Sequence, residues 1–423
     1  MLAVIVGCEL EEAQRVRPLV VRAYDEARRR DWPFLSDVLE GALKEATEED
    51  RAIVAAAVQA LVKYDRLLAF ASGSEAAEAR FDALFALASG ETNLAPRIER
   101  IESATERLAV ACSMPDWLVD LVRTEVGEGA LEAALGRMNE PAPRVARVNT
   151  LKTTRDACVA ALAEEGVGAH AATHAASGVV LEGRRSVFRT KAFAGGDLEM
   201  QDEASQLVAE LVAPPPKTFV VDACAGAGGK TLAMAALLAG KGKLLALDTS
   251  ESKLEELRRR ARRAGASNVQ ALAVDLRDED AVARLGARAS RVLVDAPCTG
   301  LGAIRRNPEA RWRLREDDLP RLVASQAALV KAAAGLVAPH GRLIYATCSF
   351  LPSEGEVPME FFLSERPDFA LVTARDVLGR ARTERVATKD GKYLRTWRFD
   401  GEPDGGDDGM DGFFAAVARR ARE

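Results

Sequence analysis

The chain has 423 residues, 48% of them apolar and 29% charged, with a formal net charge of −6. This length predicts two or three domains, and this composition excludes a largely disordered chain. The negative charge argues mildly against a nucleic-acid partner. Basic residues cluster at 258–263 and 305–315, however, so the total charge does not decide the partner. The ordinary interpretation of such clusters is a solvated helix face.

The start of the chain, MLAVIVGCELEEAQRVRPLV, lacks the basic residues of a signal peptide. The chain has no run of about 18 apolar residues, so we expect no membrane span. Six cysteines are spread without CxxC pairs, and three histidines show no ligand spacing. We therefore expect no metal site, no disulfide framework and a reduced, cytoplasmic protein, which is assumed to be a monomer.

Residues 1–115 are predicted to form a helical domain. Apolar residues recur at three- and four-residue spacing in EEAQRVRPLVVRAYDEARRR and in EEDRAIVAAAVQALVKYDRLLAF. The segment ASGSEAAEARFDALFALASG predicts a turn and another helix. Three or four such helices would bury a small bundle core.

Residues 116–200 predict a mixed α+β segment. PDWLVDLVRTEVG predicts a helix, RVARVNTLK a short strand, and TTRDACVAALAEEGV a helix with a threonine cap. VVLEG and SVFRT predict brief strands. EMQDEASQLVAELVAPPP predicts a helix that ends at its prolines.

Residues 201–423 predict a parallel sheet covered by helices on both faces, because apolar strands alternate with helices. The final GMDGFFAAVARR predicts a strand of a hairpin that finishes the sheet. Ligands in such sheets bind at the carboxyl ends of the strands. The strands are predicted at KTFVVDA, KLLALD, NVQALAVD, SRVLVDAP and GRLIYATCS, and the helices at KTLAMAALLAG, SESKLEELRRRARRAG and DDLPRLVASQAALVKAAAGLV.

A turn of small residues, DACAGAGGKT, follows the first predicted strand from Asp222. Small residues let a ligand approach the backbone, and the next helix offers its free amide groups. A phosphate-binding loop also ends in GKT, but it needs a glycine where Cys224 stands. Asp248 ends the second strand, where an acid can accept hydrogen bonds from ribose hydroxyls, as in dinucleotide and adenosyl-cofactor sites. Capping the following helix is the alternative role of Asp248.

A cysteine follows each of two later strands, Cys298 in DAPCTG and Cys348 in ATCS. A single cysteine is more often a small buried apolar residue than a nucleophile. Two cysteines beside polar residues at the ligand-binding edge indicate chemistry instead. Cys224, inside the turn of small residues, fits a filler better.

These motifs resemble the RNA cytosine carbon-5 methyltransferases of the Sun or RsmB type. The resemblance implies a Rossmann-like α/β methyltransferase domain over 201–423, with a mostly parallel seven-stranded sheet. It also implies a small α+β RNA-recognition segment over 116–200, and the helices of 1–115 resemble a NusB-like domain, which implies ribosomal RNA. The matching segments are DACAGAGGKT, LALDTSESKL, VDAPCTGLGAIRRNPEARW, YATCSFLPSEGE, DGFFAA and the preceding QDEASQ.

The resemblance implies S-adenosylmethionine as cofactor and a cytosine of RNA as substrate, and it favours small-subunit ribosomal RNA. Cys348 would add to carbon 6, because carbon 5 alone is too weak a nucleophile. Cys298 would help remove the carbon-5 proton and release the enzyme. Asp295 would hydrogen-bond the cytosine ring and Lys230 would hold the base, which must leave any stack. The implied cofactor residues are Asp222, Cys224, Ala225, Gly226, Gly228, Gly229, Lys230, Asp248, Asp275 and Asp295.

Three motifs depart from the family pattern. Gly226 and Ala227 replace the alanine and proline of CAAPGGKT, and Thr299 replaces the serine of PCSG. The triplet 354–356 is EGE and lacks the asparagine of the usual ENE, so no substrate contact is assigned there.

Three other functions stay open at this point. They are the same chemistry on transfer RNA, methylation of a nitrogen, and a ribosome-assembly protein without catalysis. A nitrogen methyltransferase usually carries an Asn/Asp-Pro-Pro-aromatic motif where this chain has DAPC. Neither of the last two would need Cys348.

Overall fold

The computed structural model describes residues 8–183, 185–399 and 409–422, which form two compact units. The first unit holds the described residues up to 141, together with 303–318 and Phe399. The second holds the rest of the described chain. Residues 1–7, on which part of the signal-peptide expectation rests, lie outside the described residues.

The structure contains 21 α-helices and 12 strands within its described ranges. Short 3₁₀ helices lie at Val187–Arg189, Leu301–Ala303 and Pro352–Glu354. The helices are α1 (Leu10–Arg15), α2 (Arg17–Arg29), α3 (Leu35–Glu45), α4 (Arg51–Lys63), α5 (Asp65–Ser72), α6 (Ala77–Ala88), α7 (Ala95–Ile98), α8 (Ala104–Ala111), α9 (Asp116–Val126), α10 (Glu128–Arg137), α11 (Arg155–Glu164), α12 (Lys191–Ala194), α13 (Glu203–Val212), α14 (Gly229–Leu237), α15 (Glu251–Ala264), α16 (Glu279–Leu285), α17 (Ala310–Arg313), α18 (Asp318–Ala334), α19 (Glu356–Glu365), α20 (Ala374–Leu378) and α21 (Arg380–Thr383). The strands are β1 (Arg144–Val148), β2 (Ala169–Ala171), β3 (Gly178–Leu181), β4 (Leu198–Met200), β5 (Phe219–Asp222), β6 (Lys243–Asp248), β7 (Val269–Ala273), β8 (Ala289–Asp295), β9 (Val337–Thr347), β10 (Phe369–Val372), β11 (Leu394–Arg395) and β12 (Phe414–Arg420).

The first unit is helical, as the spacing of its apolar residues predicts. Two predicted helices are each broken once. The first becomes α1 and α2, because a proline stands at the start of α2, where its missing N–H costs no helical hydrogen bond. The second becomes α4 and α5, which meet at Tyr64. The helices bury one core, whose largest members include Tyr24, Leu61, Leu68, Phe81 and Leu84.

Residues 303–318 pack within this helical unit although they lie between β8 and α18 in the chain. The guanidinium of Arg311 is fully buried and donates to Asn139 Oδ1 at 2.8 Å and to the Ser113 carbonyl at 3.2 Å. Burial lowers the pKa of Arg311 to about 10. Trp312 Nε1 donates to the Val62 carbonyl at 2.7 Å. The ordinary interpretation of this basic cluster as a solvated helix face is therefore wrong for Arg311. The sequence alone does not show that backbone carbonyl groups surround this guanidinium in the folded chain.

We expect Arg311→Met to destabilise the helical unit by about 2–4 kcal/mol, because it leaves buried acceptors without a donor. Arg315→Met is the matched control, since Arg315 is half-exposed and pairs with the exposed Asp31. That change should cost less than about 1 kcal/mol. Urea unfolding of both variants measures the difference, and equal losses would contradict the structural role of Arg311.

The small sheet of the second unit has the order β2-β3-β1-β4, and all its strand pairs are antiparallel. The strand predicted at VVLEG is β3, and the predicted threonine cap on α11 is Thr154, whose side chain accepts from the Ala157 amide. The strand predicted at SVFRT is wrong. Thr190 closes this segment into a 3₁₀ turn, because its hydroxyl donates to the Val187 carbonyl at 2.7 Å.

The large sheet has the order β10-β12-β9-β8-β5-β6-β7, with β11 paired to β12. Strands β5 to β9 pair in parallel, and β12 is antiparallel to its neighbours. The predicted mostly parallel seven-stranded sheet is confirmed, with the two-residue β11 added. The final strand lies between β9 and β10, whereas the sequence predicts only that it finishes the sheet in a hairpin.

Helices cover both faces of this sheet, so alternate residues of each strand enter two different cores. Val220 and Leu293 belong to one core, and Val221 and Val292 belong to the other. This arrangement leaves the ends of the strands as the place where polar side chains gather. No helix in the described ranges is both long enough and apolar enough to span a membrane.

The basic cluster at 258–263 lies on α15 and is only partly solvated. Arg259 and Arg262 are exposed. Arg260 and Arg263 instead form ion pairs with Glu199 of β4, at 3.1 and 2.5 Å, and the Glu199 side chain is almost completely buried. Two of these arginines therefore attach the small sheet to α15.

Candidate active site

The two cysteines that follow β8 and β9 lie side by side. In the parallel register Asp295 pairs with Ala346, so the residues just after each strand meet at the same edge. The Sγ atoms of Cys298 and Cys348 are 3.4 Å apart, and both thiols are free. The hydrogen bond to Cys348, followed by burial, raises the pKa of Cys298 well above its ordinary value. Cys298 therefore holds its proton more tightly than an ordinary thiol.

Lys230 and Asp295 form an ion pair at the same edge. Lys230 Nζ donates to Asp295 Oδ2 at 2.7 Å and lies 4.7 Å from the centroid of the Phe413 ring. Burial lowers the pKa of the ammonium, but Asp295, Cys348 and Asp222 outweigh this effect and raise it overall. A charged donor and a carboxylate are thus held together within reach of the thiol pair.

The turn of small residues between β5 and α14 adopts a conformation that needs glycine. Gly228 has φ +90°, and a Cβ there would lie 2.6 Å from Leu257 Cγ. The Gly226 amide donates to Asp248 Oδ2 at 2.8 Å. Asp248 Oδ1 accepts from the Ser250 amide at 2.9 Å, and Ser250 itself caps α15. Asp248 therefore links the turn to the start of α15, and Ser250, not Asp248, caps that helix.

Asp222 is buried below this turn. Its Oδ2 accepts from the Thr231 hydroxyl at 2.6 Å, and its Oδ1 has no hydrogen-bond partner among the described residues. Burial, together with Asp295, raises the pKa of Asp222 to about 7. The carboxyl group thus holds its proton through much of the acidic range.

This pKa predicts how Asp222 affects stability. The ordinary value is 3.8, so between pH 4 and about 7 the native state binds more protons than the unfolded state, and stability falls as pH rises. The Asp222→Asn side chain cannot ionise. The unfolding free energy of this variant, relative to that of the wild type, should therefore rise across this range by on the order of 2–4 kcal/mol. The measurement is the urea unfolding free energy of both proteins across that range, without ligand.

Asp275→Asn is the control for this prediction. Arg277 forms hydrogen bonds to Asp275 and lowers its pKa, so its stabilisation is present at neutral pH and lost on acidification. Asp275 is largely exposed, so its effect should be small and opposite in sign. A flat difference between Asp222→Asn and the wild type would contradict a buried, protonated Asp222.

A cavity of about 220 Å³ opens beside the turn, at the ends of β6 and β7. Asp248 and Asp275 bring carboxylates to it, and Val274, Leu276 and Leu329 give it apolar walls. A larger cavity of about 360 Å³ lies between α15 and β7, and none of the predicted site residues lines it. The first cavity is lined by Ala223, Cys224, Asp248, Thr249, Lys253, Val274, Asp275, Leu276, Arg277, Pro297, Ser325 and Leu329.

The structure brings the four predicted catalytic residues together, but it divides the predicted cofactor residues. Cys224, Asp248 and Asp275 line the 220 Å³ cavity, whereas Asp222 is buried and Lys230 pairs with Asp295. Sequence reasoning missed Ser325 and Leu329, because α18 follows β8 and shows no signal apart from its helical spacing. The remaining predicted residues, Ala225, Gly226, Gly228 and Gly229, form the turn itself.

Glu354, in the EGE triplet, is fully buried and faces the Cys298 loop. Its carboxylate accepts from the amide and the hydroxyl of Thr299. Glu356, two residues later, pairs with Arg395. Within the described ranges, no group of three or more His, Cys, Asp or Glu side chains is arranged to hold a metal ion.

Two family models match the chain, and together they cover about two thirds of it. Residues 209–418 match the 16S rRNA methyltransferase RsmB/F family, and residues 114–188 match the ferredoxin-like domain of RsmF/B-like methyltransferases. The chain belongs to the RsmB/F family. The predicted resemblance and the predicted α/β methyltransferase fold are confirmed.

Curated relatives of this RsmB/F member include two proteins described as ribosomal RNA small subunit methyltransferase B. The Bacillus subtilis (strain 168) protein, described as probable, is 33% identical over 274 residues, which are 65% of this chain and 61% of that protein. The Pseudomonas putida (strain KT2440) protein is 35% identical over 258 residues, which are 61% of this chain and 58% of that protein. The chain therefore spans about three fifths of the length of these relatives.

Two crystal structures share the fold of this RsmB/F member. PH0851 is 25% identical with a TM-score of 0.78, and the match covers 98% of this chain and 99% of that one. NSun6 from Pyrococcus horikoshii with SFG is 20% identical with a TM-score of 0.63, and the match covers 73% of this chain and 99% of that one. The second likeness shows the fold alone.

Proposed function

We propose that this chain transfers a methyl group from S-adenosylmethionine to carbon 5 of a cytosine in small-subunit ribosomal RNA. The observation that carries the proposal is the pair of free thiols 3.4 Å apart, Cys298 and Cys348, beside the Lys230–Asp295 ion pair. Methylation of a nitrogen would need neither thiol. Family membership and the names of the relatives support ribosomal RNA as the substrate.

The residues of the 220 Å³ cavity fit S-adenosylmethionine. Carboxylates such as Asp248 and Asp275 can accept hydrogen bonds from ribose hydroxyl and amino groups, and the apolar walls suit a flat purine ring. Asp222 Oδ1, buried without a donor, is a further acceptor beside the turn. When bound, this cofactor supplies an electrophilic methyl group.

In the proposed mechanism Cys348 is the nucleophile. Its thiolate forms a bond to carbon 6 of the cytosine, and the electrons of the 5,6 double bond make carbon 5 able to attack the methyl group. Asp295 accepts a hydrogen bond from the amino group of the base, while Lys230 orients Asp295 and the base and, as a cation, stabilises the negative charge that the addition places on the ring. The base must be flipped out of any stack to reach these groups.

Release reverses the addition. Cys298, as a thiolate, removes the proton from the methylated carbon 5, the double bond re-forms, and Cys348 leaves carbon 6 as a thiolate. Addition by Cys348 comes first and proton removal by Cys298 comes second. A neutral Cys298 thiol fits this order, because its proton stays on sulfur while Cys348 attacks. The Cys298 proton must therefore pass to solvent after methyl transfer and before release, so that one proton leaves the site in each turnover.

Methyl transfer from labelled S-adenosylmethionine tests the function. The substrates are unmodified small-subunit ribosomal RNA, assembled small subunits and transfer RNA, and the labelled nucleoside is identified after digestion. 5-Methylcytosine in the ribosomal substrates alone supports the proposal. Label in transfer RNA alone would keep the chemistry and overturn the substrate, and label on a nitrogen would overturn the chemistry.

A further inference from the structure

Buried polar side chains hold the chain on both sides of Cys298. Before it, the Pro297 carbonyl accepts from Gln326 Nε2 at 3.0 Å. After it, the Thr299 amide donates to Glu354 Oε1 at 2.9 Å, and the Thr299 hydroxyl donates to Glu354 Oε2. Gln326 Nε2 also donates to Glu354 Oε1 at 3.0 Å. The two residues that flank Cys298 are thus tied to one carboxylate.

The same carboxylate residue is tied to the strand that carries Cys348. The Tyr345 hydroxyl of β9 donates to the Glu354 carbonyl at 2.6 Å and lies 3.2 Å from Gln326 Oε1, which shares the same proton. The Thr347 hydroxyl donates to the Glu354 carbonyl at 3.3 Å. We call Glu354, Gln326, Thr299 and Tyr345 the Glu354 clamp. It joins the loop of Cys298 to the strand of Cys348 through side chains that are almost all fully buried.

We propose that Glu354 is a positioning residue that holds Cys298 against Cys348 for the release of the methylated RNA. This inference rests on the proposed function, because it assigns a step of that reaction. Burying a carboxylate among neutral donors costs free energy. Here the buried carboxylate fixes the position of the Cys298 loop, and its charge acts on the Cys298 thiol.

The charge of Glu354 gives the clamp an electrostatic effect as well. The Cys348 hydrogen bond and burial are the larger causes that raise the pKa of Cys298, and the Glu354 carboxylate adds to them. Glu354→Gln keeps the shape of the side chain and removes the charge, so the pKa of Cys298 should fall. A residue that served only packing would leave that pKa unchanged.

Alkylation of Cys298 tests the clamp without any catalysis. The folded full chain is treated with iodoacetamide across a pH series, and the Cys298 peptide is quantified by mass spectrometry. In Glu354→Gln the pH of half-maximal reaction should lie lower than in the wild type. Glu356→Gln is the matched control, because Glu356 pairs with Arg395, and it should match the wild type. Identical profiles for the two variants would overturn the inference.

Release of the covalent complex is the second readout. With RNA and S-adenosylmethionine, Glu354→Gln should form the complex at the wild-type rate but turn over about 10-fold more slowly, so the complex accumulates. The acid limb of its release rate should move to lower pH. If neither Glu354→Gln nor Cys298→Ala forms a complex, the proposed function fails, while the alkylation profiles still decide the role of Glu354.

Thr299→Ala keeps the inference testable if Glu354→Gln does not fold. This variant retains the carboxylate and removes one donor of the clamp. It should slow release without lowering the pH of half-maximal alkylation, because the charge remains. Wild-type release in Thr299→Ala would overturn the positioning role.

Discussion

Cys348→Ala is expected to abolish methyl transfer, with a loss on the order of 10⁴-fold or more. The reason is that carbon 5 of a cytosine is not nucleophilic enough until a thiolate has added to carbon 6. The variant should also form no covalent complex with RNA. The measurements are single-turnover methyl transfer and a denaturing gel of enzyme mixed with labelled RNA.

Cys224→Ala is the matched control for this loss. Cys224 also lies at the end of a strand, but in the turn beside the 220 Å³ cavity, and burial raises the pKa of its thiol. It should retain methyl transfer within about 10-fold, because it lines the cavity without touching the reacting carbon atoms. Activity in Cys348→Ala comparable with that of Cys224→Ala would exclude the covalent route.

Cys298→Ala should differ from both variants. Cys348 and the methyl donor remain, so addition and methyl transfer proceed, but the group that removes the carbon-5 proton is absent. The enzyme should become trapped on its methylated RNA, and multiple turnover should fall by about 10²- to 10⁴-fold. One labelled methyl group per enzyme, in a complex that survives denaturation, is the expected observation.

The double variant Cys298→Ala/Cys348→Ala is the control for trapping. It keeps the alanine at position 298 but lacks the Cys348 sulfur that bonds to carbon 6, so no complex should form. A complex in the double variant would show that another residue is attached to the RNA. Full turnover in Cys298→Ala would instead assign proton removal to another base.

The large sheet could be predicted because each of its strands is a local apolar run. β6 was predicted to the residue, and β5, β8 and β9 were each found within a few residues. β10 and β11 were not predicted, since they are short and are fixed by pairing with β12. The failed strand at SVFRT has a local cause, because the hydrogen bond from the Thr190 hydroxyl to the Val187 carbonyl outweighs a weak preference for a strand.

The site could be predicted where chemistry follows a strand end. Cys298, Cys348 and Asp295 meet because parallel strands bring their carboxyl ends to one edge. Glu354 could not be predicted as a buried partner of Thr299, since the two are 55 residues apart and only the fold joins them. Arg311 could not be placed in the helical unit for the same reason.

The position of β12 has a consequence for how this protein is made. β12 lies between β9 and β10, and Gly412, just before it, donates to the Gly302 carbonyl at 2.8 Å. A ribosome delivers β8, β9 and both cysteines well before this segment, so during translation β9 has an unpaired edge. Such an edge invites pairing with other chains. Until β12 has been made and paired, the nascent protein therefore carries an aggregation-prone edge on the strand that leads to Cys348, and β12 is the segment that shields this edge.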